Sequence, residues 1–369
     1  MGQRACRACH EGGWAAVKMP SQASNALLAK CRAIYGRRLG REAYDSLISC
    51  RSVSDVASQL SQTHYAPAIA GLDQTSIHRG QLEAALGAML YEELAGLCRY
   101  EQSLGTWISG YIIMRGEISQ LLEFLKLLAA GRPGEYIFSL PDFFKEHTDL
   151  DLNALAMARS YRDMLVALKG TVYAKILIGF APKEGQPFDI AMIEHALYEK
   201  LYYELINTIN KNMKGKPKDE MLELVGTQID LINFSHIYRL KRYYRAGADL
   251  VRRMTFRNHY KLSQKTAEAM AQTADADEVM RLLCYKTPYG KQINGDMVSE
   301  GYAEQEASRL LAKKARHLLR FSISPPVVLM AFSILAETEL RDVVTIIEGV
   351  RYGLAPDEIR ALTVLRDHE

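Results

Sequence analysis

The chain has 369 residues, a mass of 41.5 kDa and a formal charge of +3 from 46 basic and 43 acidic side chains. That length suits two or three domains at roughly 150 residues each, and 48% hydrophobic with 24% charged residues excludes a disordered chain. The near-balanced charge excludes a polybasic nucleic-acid binder as a whole, leaving only a local basic patch to consider.

Residues 1–18 show no helical period. Cys6, Cys9 and His10 match the C-x-x-C-H pattern of c-type haem attachment, but no apolar export signal precedes them. Residues 1–20 therefore read as a disordered extension, with Met19 an alternative start. The six cysteines, Cys6, Cys9, Cys31, Cys50, Cys98 and Cys284, are dispersed and read as free thiols of a reducing compartment.

From Ser24 onward, apolar residues recur at helical spacing. Leu82, Leu86, Met89, Leu90 and Leu97 form one stripe. Ile193, Leu197, Leu201, Leu205 and Ile209 form a second, and Leu340, Val343, Val344, Ile347 and Val350 a third. Turn residues punctuate them at Gly131-Arg132-Pro133-Gly134, Ala181-Pro182, Gly215-Lys216-Pro217 and Pro325-Pro326. The uncharged stretch from Phe321 to Ala336 is too short for the roughly 20 residues a bilayer requires.

The helical pattern repeats. An offset of 111 residues carries Glu83, Leu86, Leu90, Tyr91, Glu93 and Leu94 onto Glu194, Leu197, Leu201, Tyr202, Glu204 and Leu205. It also carries Ile118 to Ile229 to Leu340, and places Gln228 opposite Glu117 and Glu339. Three T-x-Y triplets, Thr63–Tyr65, Thr171–Tyr173 and Thr287–Tyr289, each close a helix-like stretch. The pattern predicts an all-α protein of three tandem similar units: 21–145, 146–255 and 256–369. Joined as an arc they give a pseudo-threefold body with a concave middle; a linear array is the rival arrangement.

Chemistry-bearing motifs are sparse. There is no phosphate-cradling glycine loop, no zinc-binding His-Glu-x-x-His and no second half to the Cys6–Cys9 pair. No cofactor, metal or independent catalysis is expected. His236 reads as a hydrogen-bonded boundary histidine. Asp149, Asp151, Asp275, Asp277 and Glu278 suit helix N-termini, where carboxylates meet unpaired N–H groups. Asp230 and Asn233, three apart, suit a buried helix–helix tie. Arg239, Lys241, Arg242, Arg245, Arg252 and Arg253 begin a basic run that reaches Lys261 and contains Tyr238, Tyr243, Tyr244 and Tyr260. It reads as a solvated helix face, as a docking patch for an acidic partner surface, or as a nucleic-acid contact.

Three segments carry a resemblance to a known family: Ser52–Tyr65, Gln228–Phe234 with Arg239–Lys241, and Pro325–Leu329 with Glu337–Leu354. Through them, over roughly residues 20–366, the chain resembles the C subunits of the bacterial and archaeal V/A-type ATP synthases, relatives of the d subunit of the vacuolar proton pump. The resemblance implies three similar helical domains arranged as a pseudo-threefold funnel. It implies a non-catalytic socket on the cytoplasmic side of the membrane, with no membrane span of its own and no nucleic acid among its partners. Such a socket stands on the rotor-ring subunits, receives the central-stalk subunits in its hollow, and passes torque between ATP chemistry and ion transport. A helical scaffold unrelated to rotary machines is the competing reading.

Overall fold

The computed structural model describes residues 21–73, 77–103, 107–136, 141–183, 186–293 and 301–366, and among these every regular element is helical. The C-x-x-C-H motif, Met19 and the extension expected at 1–20 lie outside the described residues.

Helix α1 (Ser21–Tyr35) leads into a cluster of three small helices, α2 (Arg41–Ile48), α3 (Val53–Leu60) and α4 (Ala66–Ile69). Two long helices follow, α5 (Arg79–Ser103) and α6 (Ile108–Ala129). The order then recurs: small helices α7 (Asp142–His147), α8 (Leu152–Met157), α9 (Tyr161–Ala167) and α10 (Val172–Leu177), then long helices α11 (Ile190–Asn212) and α12 (Gly215–Tyr244). It recurs once more with α13 (Ala248–Arg253), α14 (Gln264–Gln272) and α15 (Ala276–Lys286), then α16 (Ala303–Phe321) and α17 (Pro325–Tyr352). A last small helix, α18 (Pro356–Leu362), ends the described chain.

Local sequence explains these boundaries. Ser52 and Ser160 accept the N–H groups of Asp55 and Asp163, and Asp151 and Asp275 cap α8 and α15 in the same way. Each satisfies a donor that the first turn leaves without an intrahelical partner. Pro325 and Pro326 open α17, where a missing N–H costs nothing. Gly131 and Gly353 follow α6 and α17 with φ of 73° and 68°, a left-handed turn that glycine enters without a Cβ clash.

The six long helices touch in a closed circuit: α5 packs on α6, α6 on α11, α11 on α12, α12 on α16, α16 on α17, and α17 back on α5. From Val327 to Ala336, α17 is buried on every face. A helix that is apolar all round belongs in a core, which accounts for the uncharged stretch seen in the sequence.

Two apolar cores result. The main one runs from Leu27 to Val364 and includes most of the long helices. The second joins the two ends of the chain: Tyr44, Leu47, Ile48, Val56, Leu60 and Ile69 pack with Val343, Ile346, Ile347, Val350 and Ile359. The first small-helix cluster is therefore completed by the last long helix.

Candidate functional site

The three T-x-Y triplets share one job. Thr63, Thr171 and Thr287 donate their hydroxyls to the carbonyls of Leu60, Leu168 and Leu283, closing the preceding helix. The tyrosines Tyr65, Tyr173 and Tyr289 are each at most 2% exposed. Each donates its phenol to a buried carboxylate on a long helix: Tyr173 to Glu117 on α6 and Tyr289 to Asp230 on α12 at 2.7 Å. Tyr65, in the first cluster, reaches Glu339 on α17 at 2.9 Å. The same bond thus ties the second small-helix cluster to α6, the third to α12 and the first to α17.

Each carboxylate also holds the strand of chain that leads into its small-helix cluster. Glu117 accepts from Thr148 Oγ1 at 2.5 Å and from Asp149 N at 3.3 Å. Asp230 accepts from the N–H groups of Tyr260, Lys261 and Leu262 at 3.0, 2.6 and 2.8 Å. Glu339 accepts from Leu39 N at 3.0 Å. Near Asp230 the chain passes so close that a Cβ on Gly226 would sit 2.5 Å from the Tyr260 ring, so only glycine admits this crossing.

A second set of ties lies one turn further along the same helices. Gln120 accepts from Tyr136 Oη at 3.1 Å. Asn233 exchanges two bonds with the Phe256 backbone, at 2.7 and 3.1 Å. Asp342 accepts from the N–H groups of Val364 and Leu365 and from Tyr44 Oη. Asp230 and Asn233 are wholly buried and form a tie, but they bind α12 to the backbone of loop 256–262 rather than helix to helix. The equivalent residues are consequently Glu117, Asp230 and Glu339, not Glu117, Gln228 and Glu339. A constant offset of 111 misses this because the true spacings are 113 and 109.

In this register Arg115, Gln228 and Glu337 are equivalent, and Arg115 forms an ion pair with Glu337 between α6 and α17. From that level the rows Arg115–Ser119–Glu123–Lys126–Ala130, Gln228–Ile232–His236–Arg239–Tyr243 and Glu337–Arg341–Thr345–Glu348–Tyr352 climb their helices. They pass from buried or half-buried at the ion-pair level to exposed at the C-terminal ends. Arg239 pairs with Glu304 at 2.8 Å and Glu348 with Arg79 at 2.8 Å, so one register position ties α12 to α16 and α17 to α5.

The electrostatics differ among the junctions. Burial raises the Glu117 carboxyl above its ordinary range against its Thr148 and Tyr173 donors. Burial also pushes Glu339 up, but His64 and Arg38 outweigh it and hold that carboxyl below the ordinary range. Arg38 donates to Glu339 at 3.1 Å, pairs with Glu93 and lies 5.4 Å from the Phe332 ring centroid. Burial pushes Asp342 up to about 6, and it pushes Glu101, which caps α6 through Ile108 N and Ser109 N, up to about 7.

The six basic residues singled out from sequence do not form one face. Arg239 is occupied by Glu304, and Arg252 by Glu268 and Asp249. Lys241 is buried and donates to Ala246 O at 2.9 Å. Arg242 is half exposed, 4.0 Å from Asp277. Arg245 and Arg253 are exposed and make no ion pair among the described residues. Farther along the run, Lys261 meets Glu223 and Arg257 meets Glu199. His236 donates its Nδ1–H to Met254 O, 3.3 Å away, as a boundary histidine.

Residues 27–362 match the model of the ATP synthase (C/AC39) subunit family. The chain is 23% identical over 340 residues to the C subunit of the A-type ATP synthase of Pyrococcus abyssi, covering 90% of this chain and 88% of that one. It is 24% identical over 346 residues to the C subunit of the A-type ATP synthase of Methanococcoides burtonii, covering 91% and 93%. With the family model spanning nearly its whole length, this chain belongs to the ATP synthase (C/AC39) subunit family.

Proposed function

We propose that this chain is the non-catalytic central-stalk subunit of a rotary V/A-type ATP synthase, a socket that couples the stalk to the membrane rotor ring. The observation that carries this reading is the closed circuit of six long helices, returned to its start by the Tyr65–Glu339 bond. A body that transmits torque must resist twist, and close-packed helices tied end to end resist it better than an open array. On this reading the chain holds three similar units with boundaries near residues 145 and 255.

The hollow of the socket lies toward the C-terminal ends of α6, α12 and α17. At the level of Val327–Ala336 the middle is filled by α17 itself, so no shaft enters there. Above the Arg115–Glu337 pair all three equivalent rows end exposed, at Ala130, Tyr243 and Tyr352, as they would where the helices diverge. These rows mix both charge signs with tyrosine, a lining that fixes orientation more than affinity. The opposite end, at the α16–α17 turn with exposed Phe321 and Ile323, then faces the ring from the cytoplasmic side. No helix among the described residues is long and apolar enough to cross a membrane, and this reading accordingly makes the contact with the ring a docking of surfaces. The family match leaves little support for a scaffold unrelated to rotary machines.

Photo-crosslinking in native membranes tests the reading. A crosslinker at Tyr352 should capture a stalk component and one at Phe321 a component of the ring. Capture of the same partner from both ends, or of no rotary-complex component from either, would refute the assignment.

A further inference from the structure

All three second long helices end through a left-handed residue, but only two of these residues are glycine. Gly131 and Gly353 serve α6 and α17 with φ near 70°, while Arg245 ends α12 with φ 48° and ψ 39°. At the glycine ends the next N–H reaches back five residues, Arg132 to Leu127 and Leu354 to Gly349; after Arg245 it reaches six, Ala246 to Leu240. Arg245 is the only described non-glycine residue at positive φ. The Cβ clash in this region is a standing cost that a glycine would remove. Strain held at one of three equivalent turns points to use of the side chain rather than to folding.

The surroundings say what that use is. Arg245 and Arg242 line an open recess of about 560 Å³ between the end of α12 and the start of α15, with Gly247, Gln272 and Asp275 on its other walls. Tyr243 and Tyr244, between the two arginines in sequence, are 66% and 70% exposed. Exposed tyrosine beside arginine is the composition of binding hot spots. Of the exposed arginines in the basic run, Arg242, 4.0 Å from Asp277, and Arg245 line this recess and Arg253 does not, while Arg239, Lys241 and Arg252 are committed internally.

We propose that this corner, Arg242–Arg245 with its recess, docks an acidic segment of a partner protein. Guanidinium groups favour carboxylates through paired, planar hydrogen bonds, and the flanking rings supply apolar contact to the segment's stems. The inference rests on the reading of the chain as one subunit of a larger assembly, and names the chemistry of one of its contacts.

The test uses the full isolated chain, so it is independent of the crosslinking outcome at Tyr352 and Phe321. A short fluorescent polyglutamate peptide serves as probe in anisotropy titrations at low salt, beside a single-stranded oligonucleotide of equal charge. Arg242→Glu with Arg245→Glu should weaken peptide binding by about tenfold or more, while Arg245→Lys retains most of it. Arg245→Gly should do two things at once: weaken the peptide and raise the melting temperature by about 1–2 °C through relief of strain. A lowered melting temperature for Arg245→Gly would make Arg245 a structural residue and overturn the proposal. So would absence of peptide binding by the unmodified chain, unchanged binding by the double variant, or binding of the oligonucleotide as tight as that of the peptide.

Discussion

The junction that closes the circuit and the junction between α12 and the third cluster pose the same chemical problem, a carboxylate removed from the surface, and solve it differently. Asp230, wholly buried, is surrounded by three backbone N–H groups and a phenol. Glu339, 1% exposed, has one backbone N–H and a phenol, and the rest is supplied by Arg38 and His64. At the middle junction the chain is continuous, so its own loop 256–262 can be laid across α12 and its amides aimed inward. At the closing junction the partners come from opposite ends of the chain, about 300 residues apart. There a long, permanently charged side chain reaches across, and further arginines reinforce it: Arg32 to the carbonyls of Leu319 and Ser322, and Arg366 to Asp45. Around the buried carboxylate itself, the unlinked seam adds a cation where the linked seam adds backbone amides.

This comparison can be broken most sharply at Arg38. Arg38→Ala leaves Glu339 and Glu93 without their shared cation in a buried site, and should cost about 3–5 kcal/mol. Urea unfolding measures it; a loss within error of a surface substitution would mean the closing seam does not depend on its cation.

The phenols are the next lever. Tyr65→Phe, Tyr173→Phe and Tyr289→Phe each remove one hydrogen bond to a buried carboxylate, with an expected loss of about 1.5–3 kcal/mol apiece. Similar losses at all three would support their equivalence; a neutral Tyr65→Phe beside two costly relatives would show that Arg38 alone suffices to hold the closing seam.

The smallest expected effect is on pH dependence. Glu101 and Asp342 have folded pKa values of about 7 and about 6, above ordinary values of 4.5 and 3.8, because burial disfavours their charge. Both bind protons more tightly when folded, so their contribution to stability falls as pH rises across those intervals. Glu339 works in the opposite sense: its folded value lies below 4.5, so its contribution is present above that and lost as pH falls through the lowered value. Glu101→Gln should therefore flatten the decline in melting temperature between about pH 5 and pH 7; an unchanged slope would place the titration elsewhere.

Much of the architecture was legible in the sequence because helical apolar spacing is a strong signal and was repeated. The T-x-Y triplets marked three equivalent local structures, in which the threonine closes a helix and the tyrosine points inward. Their partners were not legible. An acidic residue on a helix ordinarily reads as solvated, and nothing local distinguishes buried Asp230 from the far less buried Asp219. The register slip to Gln228 has a related cause: isoleucine and leucine recur so often on α12 that apolar matching accepts a shift. Burial resolves it, for Phe234 is fully buried at the Leu121 and Val343 position while Ile232, the residue matched at a constant offset, is only half-buried. The basic run misled for a geometric reason. Successive residues on a helix turn by about 100°, so neighbours in sequence diverge in space, and of the exposed arginines in the run Arg242 and Arg245 share a recess.

Hydrogen exchange on the Arg38→Ala chain is the most direct test of closure. If the last long helix completes the first small-helix cluster across an ionic seam, amides of residues 44–69 lose protection while those of 161–177 and 276–286 keep theirs. Equal loss in all three clusters, or full protection of 44–69, would contradict it.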